Sequence, residues 1–191
     1  MAMNFQIKTL LISTSAAALT SYTSLACGQT LKLDTSKSQV QITFKQMDVP
    51  VQANFKRFAA NIELNEKQIE QSKAQVEIDM NSFELPAPEY NKEVQKKEWF
   101  NAPQFPKANF VASSMKSLGV GKLQVEGKLT IKGKTNAISF PMTYTSNGNQ
   151  FTFEGNLPIK RLAFNIGEGE WKDTSMVADD VSIKFKLVTN K

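Results

Sequence analysis

The chain of 191 residues contains no histidine and a single cysteine, Cys27. Those two shortages exclude most side-chain chemistry before any motif is sought. Ser-His-Asp triads, Cys-His pairs and the usual zinc and haem ligand sets all need residues that are missing here or stand alone near one end. A disulfide within the chain needs two cysteines, so the core has to hold the fold by itself. Phosphate-cradling loops are missing too, because Gly119-Val120-Gly121-Lys122 lacks the rest of that pattern. Long apolar runs are scarce. The one at residues 10–19 is too short, and too rich in Ser and Thr, for a convincing membrane span. Charge of one sign is not gathered into a block either. The net charge of +5 comes from Lys residues spread along polar positions, which suits a solvated surface with transient contact to an acidic membrane better than a nucleic-acid groove.

The apolar stretch at residues 10–19 follows Lys8, the only charge in the first 26 residues, and Ser24-Leu25-Ala26 offers small residues where a signal peptidase inspects. Residues 1–26 therefore read as an export signal and residues 27–191 as a single domain. Cys27 directly follows the cleavage point and has two readings, a lipidated anchor or an idle residue; Ser24 stands where a lipoprotein signal usually carries Leu.

What the chain does have is alternation. Leu123, Val125, Leu129 and Ile131 share one face of a segment, Ile138, Phe140, Met142 and Tyr144 one face of the next, and Phe151, Phe153 and Leu157 one face of a third. Successive strand side chains point to opposite sides, so this stretch makes a sheet with one apolar and one wet face. Lys132-Gly133-Lys134 and Asn147-Gly148 mark the turns between them. The same period runs through residues 29–33, through Val40, Ile42 and Phe44, through Val51, Ala53 and Phe55, through Val76, Ile78 and Met80, and through Val181, Ile183, Phe185 and Leu187. Pro50 cannot donate a ladder hydrogen bond and argues against a central strand there. Between residues 88 and 98 the period changes: Tyr90 and Val94 lie four apart among charges, which predicts one short helix with Pro88 near its first turn. Eight or nine short strands and one helix make an all-β chain, with an antiparallel sheet that either stacks as a sandwich or closes into a barrel. A barrel of about eight strands is just wide enough to enclose a small ligand.

Carboxylates are the remaining candidates for catalysis. Glu168 and Glu170 lie two apart and would share a face if extended. Their flanking glycines make a close backbone approach the simpler account. We therefore expect no enzyme.

In this order, Ser38-Gln39-Val40 through Phe44, Phe55-Lys56-Arg57-Phe58, Trp99-Phe100-Asn101 leading to Phe105-Pro106-Lys107-Ala108-Asn109-Phe110, the run from Gly127 to Gly133, and Gly167-Glu168-Gly169-Glu170-Trp171 resemble the YceI-like family. Its members are exported bacterial domains with a lipocalin-like antiparallel barrel. Ala53 stands where members usually carry Gly, and Glu89-Tyr90-Asn91-Lys92 and Glu93-Val94 stand where they often carry an Arg-Asp and His motif. The resemblance implies a periplasmic, closed, lipocalin-like barrel whose apolar interior takes a polyisoprenoid or the tail of an isoprenoid quinone, with no cofactor or metal. The cavity would then be lined by Phe44, Phe55, Phe58, Ile78, Trp99, Phe100, Phe110, Leu129, Ile131, Phe140, Tyr144, Phe153, Phe164 and Trp171. For any single one of them ordinary core is the competing reading. Arg57, Lys160 and Arg161, with Lys56 beside them, are candidates for a head group at the mouth or plain solvated charges. The expected function is a non-catalytic carrier or reservoir for the lipid, as a monomer or homodimer. The alternative is a surface-displayed or stress-protective barrel with a filled core and no lipid.

Overall fold

A computed structural model describes residues 28–191; the export signal assigned to residues 1–26 and the lipidation candidate Cys27 lie outside the described residues. The described residues form eleven strands, two or three more than the alternation predicts: β1 (Gln29–Leu33), β2 (Gln39–Gln46), β3 (Val49–Phe55), β4 (Phe58–Leu64), β5 (Lys73–Asp79), β6 (Phe83–Glu84), β7 (Lys107–Gly119), β8 (Lys122–Ile131), β9 (Lys134–Asn147), β10 (Gln150–Lys160) and β11 (Val177–Asn190). All their pairings are antiparallel, in the order β1-β4-β5-β7-β8-β9-β10-β11-β2-β3-β6. β1 pairs with β11 as well, through Lys32 opposite Asn190 and Leu33 opposite Thr189, so eight strands form a closed ring.

β1 and β2 run one after the other along the same edge of β11, and β3 and β4 return beside them. Near the β4–β5 turn the wall is therefore β1 and β4; toward the other pole β2 and β3 take their place. There β3 has only the two residues of β6 on its far side, paired at Asn54 and Phe55. The gap is plugged by rings, with Phe83 5.0 Å from Phe55 and 5.2 Å from Phe100. Pro50 sits within β3, opposite Lys45. It is tolerated because the β3 edge at that point has no ladder to supply.

The short helix expected over residues 88–98 is present only as a 3-10 turn, Pro88–Tyr90. Beyond it the chain is a string of tight turns, with Glu93 N–H on Tyr90 O, Lys96 on Glu93 and Trp99 on Lys96. Tyr90 is 59% exposed, so the segment has no buried stripe beyond Val94 with which to hold a longer helix. No helix among the described residues is long and apolar enough to cross a membrane.

The apolar faces point inward as the period requires: Leu123, Val125, Leu129, Ile131, Phe140, Phe151, Phe153 and Leu157 are all buried. At the pole of the β7–β8 and β9–β10 turns the interior is solid, filled by Leu31, Ile69, Leu123 and Phe151. Replacing Leu123, 1% exposed, by Ala should cost about 2–5 kcal/mol. That loss would be read as a lower urea midpoint at unchanged slope.

Candidate functional site: an apolar hollow with a polar clasp

Away from the solid pole the barrel interior opens into a cavity of about 570 Å³, within the range of small-molecule sites. Its wall is built from the inward positions of nearly every strand: Val40, Ile42 and Phe44 from β2, Phe55 from β3, Val76 and Ile78 from β5, Phe110 and Met115 from β7, Val125, Leu129 and Ile131 from β8, Phe140 and Met142 from β9, Phe153, Leu157 and Ile159 from β10, and Val181, Ile183, Phe185 and Leu187 from β11. Phe83 from β6, and Trp99, Phe100 and Trp171 from the connections, complete it. Gln46, Pro50 and Gln52 on one side and Pro86, Tyr90 and Glu93 on the other are lining residues nearest solvent and mark the mouth.

Eleven of the fourteen cavity residues named from the sequence lie on this wall: Phe44, Phe55, Ile78, Trp99, Phe100, Phe110, Leu129, Ile131, Phe140, Phe153 and Trp171. Three do not. Phe58 packs half-buried at a shallow surface cleft with Arg57, Glu77 and Asp79. Tyr144 stacks behind Phe153 at 6.2 Å, and Phe164 is buried in the 3-10 turn Arg161–Phe164. Phe185 and Phe83 belong to the wall although neither was singled out. Phe185 shares the alternation of β11 and was legible there, whereas Phe83 lies in a two-residue strand too short to show a period.

Two of the three head-group candidates, Arg57 and Lys160, lie off the hollow. Arg57 holds Asp79 at 2.8 Å and Lys160 holds Asp180 at 2.8 Å, both on the outer surface, and Lys56 pairs with Glu84. Arg161 does line the cavity but is only 2% exposed. Its five N–H groups are spent on carbonyls: Nε donates to Ala178 O, Nη1 to Ile166 O and Gly167 O, and Nη2 to Trp171 O and Val177 O. Burial lowers its pKa against the opposing pull of Asp179. The guanidinium lies 5.8 Å from the centre of the Trp99 ring, and Trp99 leans on Trp171 at 5.2 Å. Trp99 Nε1 is buried without a hydrogen-bond partner.

This arrangement explains the Gly167-Glu168-Gly169-Glu170-Trp171 cluster. Gly167 has φ +82°, and a Cβ there would fall 1.9 Å from Arg161 Nη1, so only glycine leaves room for the guanidinium. Glu168 accepts from Lys132 Nζ at 2.8 Å, and the same ammonium donates to Lys97 O and Asn165 O at 2.7 Å each. Lys132 is buried and sits at φ 49° in the β8–β9 turn. It clasps that turn to both connections that border the hollow. Glu168 and Glu170 do not line the cavity; Glu168 serves the clasp, not an acid pair.

The Lys132 hydrogen bond, with the charges of Lys132, Lys172 and Lys97, holds the Glu168 carboxyl below the ordinary 4.5 against the raising effect of burial. A carboxyl depressed on folding adds stability above its unfolded pKa, and the gain is lost as pH falls through its folded value. Glu168→Gln should therefore cost on the order of 1 kcal/mol at neutral pH, a figure reduced because the side chain is 41% exposed. The difference from wild type should begin to shrink as the pH drops below 4.5 and vanish only below the lower folded value, in denaturant titrations repeated across pH.

Comparison with known proteins places this geometry. The YceI-like domain description matches residues 31–189. The crystal structure of BcnA from Burkholderia cenocepacia is 48% identical, with a TM-score of 0.80 over 82% of this chain and 99% of that one. A polyisoprenoid binding domain from Saccharophagus degradans shares the fold at 16% identity, with a TM-score of 0.67 over 84% of this chain and 97% of its own. A UPF0312 protein of Vibrio parahaemolyticus is 28% identical over 120 residues, 61% of this chain. The chain spans 64% of the length of that curated relative.

Proposed function

The chain belongs to the YceI-like domain family, and from that premise we propose that it is a non-catalytic binding protein that holds a long apolar lipid, a polyisoprenoid or isoprenoid quinone, in the barrel interior. We further propose that it is exported and works in the periplasm as a carrier or reservoir. The single observation that carries the reading is the hollow itself. An interior filled solid by the protein's own side chains, as the alternative function requires, would leave no cavity of about 570 Å³. The Saccharophagus domain of the same fold is described as polyisoprenoid binding, which agrees in kind.

The energetics suit such a guest. Hiding roughly 400 Å² of hydrocarbon at about 25 cal/mol/Å² is worth about 10 kcal/mol before ordering and association costs. The wall also sets a condition on the head group. Among its residues only Glu93 and Arg161 carry a full charge. Glu93 is paired with Lys96 and Arg161 has no donor left. A diphosphate drawn into this hollow would lose its water and find no free cation. Gln46 and Tyr90 at the mouth offer neutral hydrogen-bonding groups that fit a quinone carbonyl or a hydroxyl. The guest that suits this wall is a neutral-headed lipid, and of the two readings of Arg57, Lys160 and Arg161 this favours charges that do not meet a head group.

The test is to purify the protein from its native host without detergent, extract it with organic solvent and identify the extract by mass spectrometry. A stoichiometric isoprenoid with a neutral head is expected, and a prenyl diphosphate should not displace it. Repeated recovery of empty protein would overturn the reading. Facing gives a second test: Ile131→Glu puts a charge on the wall and should abolish lipid recovery, whereas Lys128→Glu on the exposed face should leave it intact. Thermal melts of both variants separate loss of lipid from loss of fold.

A further inference from the structure

The inner face of β10 reads Phe151, Phe153, Gly155, Leu157, a run of large apolar side chains with a hole at its third position. The hole is filled from the next strand. A Cβ built on Gly155 would lie 2.5 Å from Cζ and 2.8 Å from Cε1 of Phe185, and 3.2 Å from Met142 Cβ. Phe185 is the direct cross-strand partner of Gly155, and the far end of its ring covers the glycine. The pattern recurs across the sheet, where a Cβ on Gly127 would lie 2.4 Å from Phe110 Cε2. Phe140 stands between these two rings, 5.7 Å from Phe110 and 5.8 Å from Phe185. The three line the hollow as one aromatic arc whose end rings are each sunk over a glycine.

We propose that Gly155 and the Phe185 ring lying on it are the specificity-determining pair of the hollow, setting the thickness of the hydrocarbon chain it accepts. The inference rests on the lipid-binding reading above. With glycine at 155 the ring occupies space a side chain would otherwise take, and the bore is left wide. A single methyl at 155 cannot coexist with the ring where it lies, so the ring has to tip toward the middle of the hollow. Gly127 is a less clean handle, because a Cβ there would also strike the Val111 carbonyl at 2.5 Å and move a strand. The selected feature is branching: an isoprenoid chain carries a methyl on every unit and is thicker than a straight alkyl chain. A wide bore admits it and a narrowed one rejects it.

The experiment compares geranylgeraniol with a straight-chain saturated alcohol of equal length, both titrated against the fluorescence of Trp99 and Trp171, which line the hollow. The proteins are wild type, Gly155→Ala, Phe185→Leu, and the two changes together. Gly155→Ala should weaken geranylgeraniol binding on the order of tenfold more than binding of the straight alcohol. The double variant, with a smaller residue in place of the ring, should restore the wild-type ratio. Phe185→Leu alone adds no atoms, and should move the ratio at least about threefold toward the branched chain; it decides the matter should Gly155→Ala fail to fold. An unchanged ratio in the folded single variants, or no restoration in the double one, overturns the proposal. Wild-type protein that binds neither alcohol overturns the lipid reading beneath it, so the two failures are told apart.

Discussion

The two rungs joining β1 to β11, Lys32 with Asn190 and Leu33 with Thr189, turn a sheet into a wall with an inside. Every long strand here is apolar on one face only, and among the described residues no second sheet or long helix is available to cover that face. Closure is the arrangement left, and it also removes edges that would otherwise template association. Everything at the site follows from it. Inward positions of strands far apart in sequence meet across one interior, and the room left over becomes the hollow.

Closure is incomplete toward the mouth, where β3 carries only the two rungs of β6. The fold meets this with loops instead of ladders, and it uses its buried cations to hold those loops. Arg161 gathers the carbonyls of residues 166, 167, 171, 177 and 178, and Lys132 gathers those of residues 97 and 165 together with Glu168. A buried charge is tolerated where its donors are all satisfied, and here satisfaction and loop fixation are the same act. Because these cations are consumed by the scaffold, the cavity wall presents almost nothing charged.

The same division explains which residues could be read in advance. Phe44, Phe110, Leu129, Ile131, Phe140 and Phe153 sit on regular strands, where a period of two states which way each side chain points. Residues 88–98 misled because Tyr90 and Val94 mimic a helical stripe while the segment is shaped by its contacts with the barrel; Val94, Trp99 and Phe100 are laid onto the core by turns. Arg161 looked like a surface cation beside Lys160. Nothing local marks it as buried, since its five carbonyl partners are supplied by residues 166–178 only after the loop has folded over it. The glycines at 127 and 155 were legible in principle, as gaps in otherwise apolar inward runs. Their use depends on rings from neighbouring strands.

By itself the sequence determined the strands, the face each side chain takes and the want of histidine and cysteine chemistry, because these depend on residue type and on a period of two along the chain. Only the tertiary structure decided that the interior is open, how wide it is and that its charges are already taken. Those properties arise from side chains of different strands sharing one volume, as Phe185 does with Gly155 and Arg161 with Gly167, and no local pattern encodes how that volume is divided.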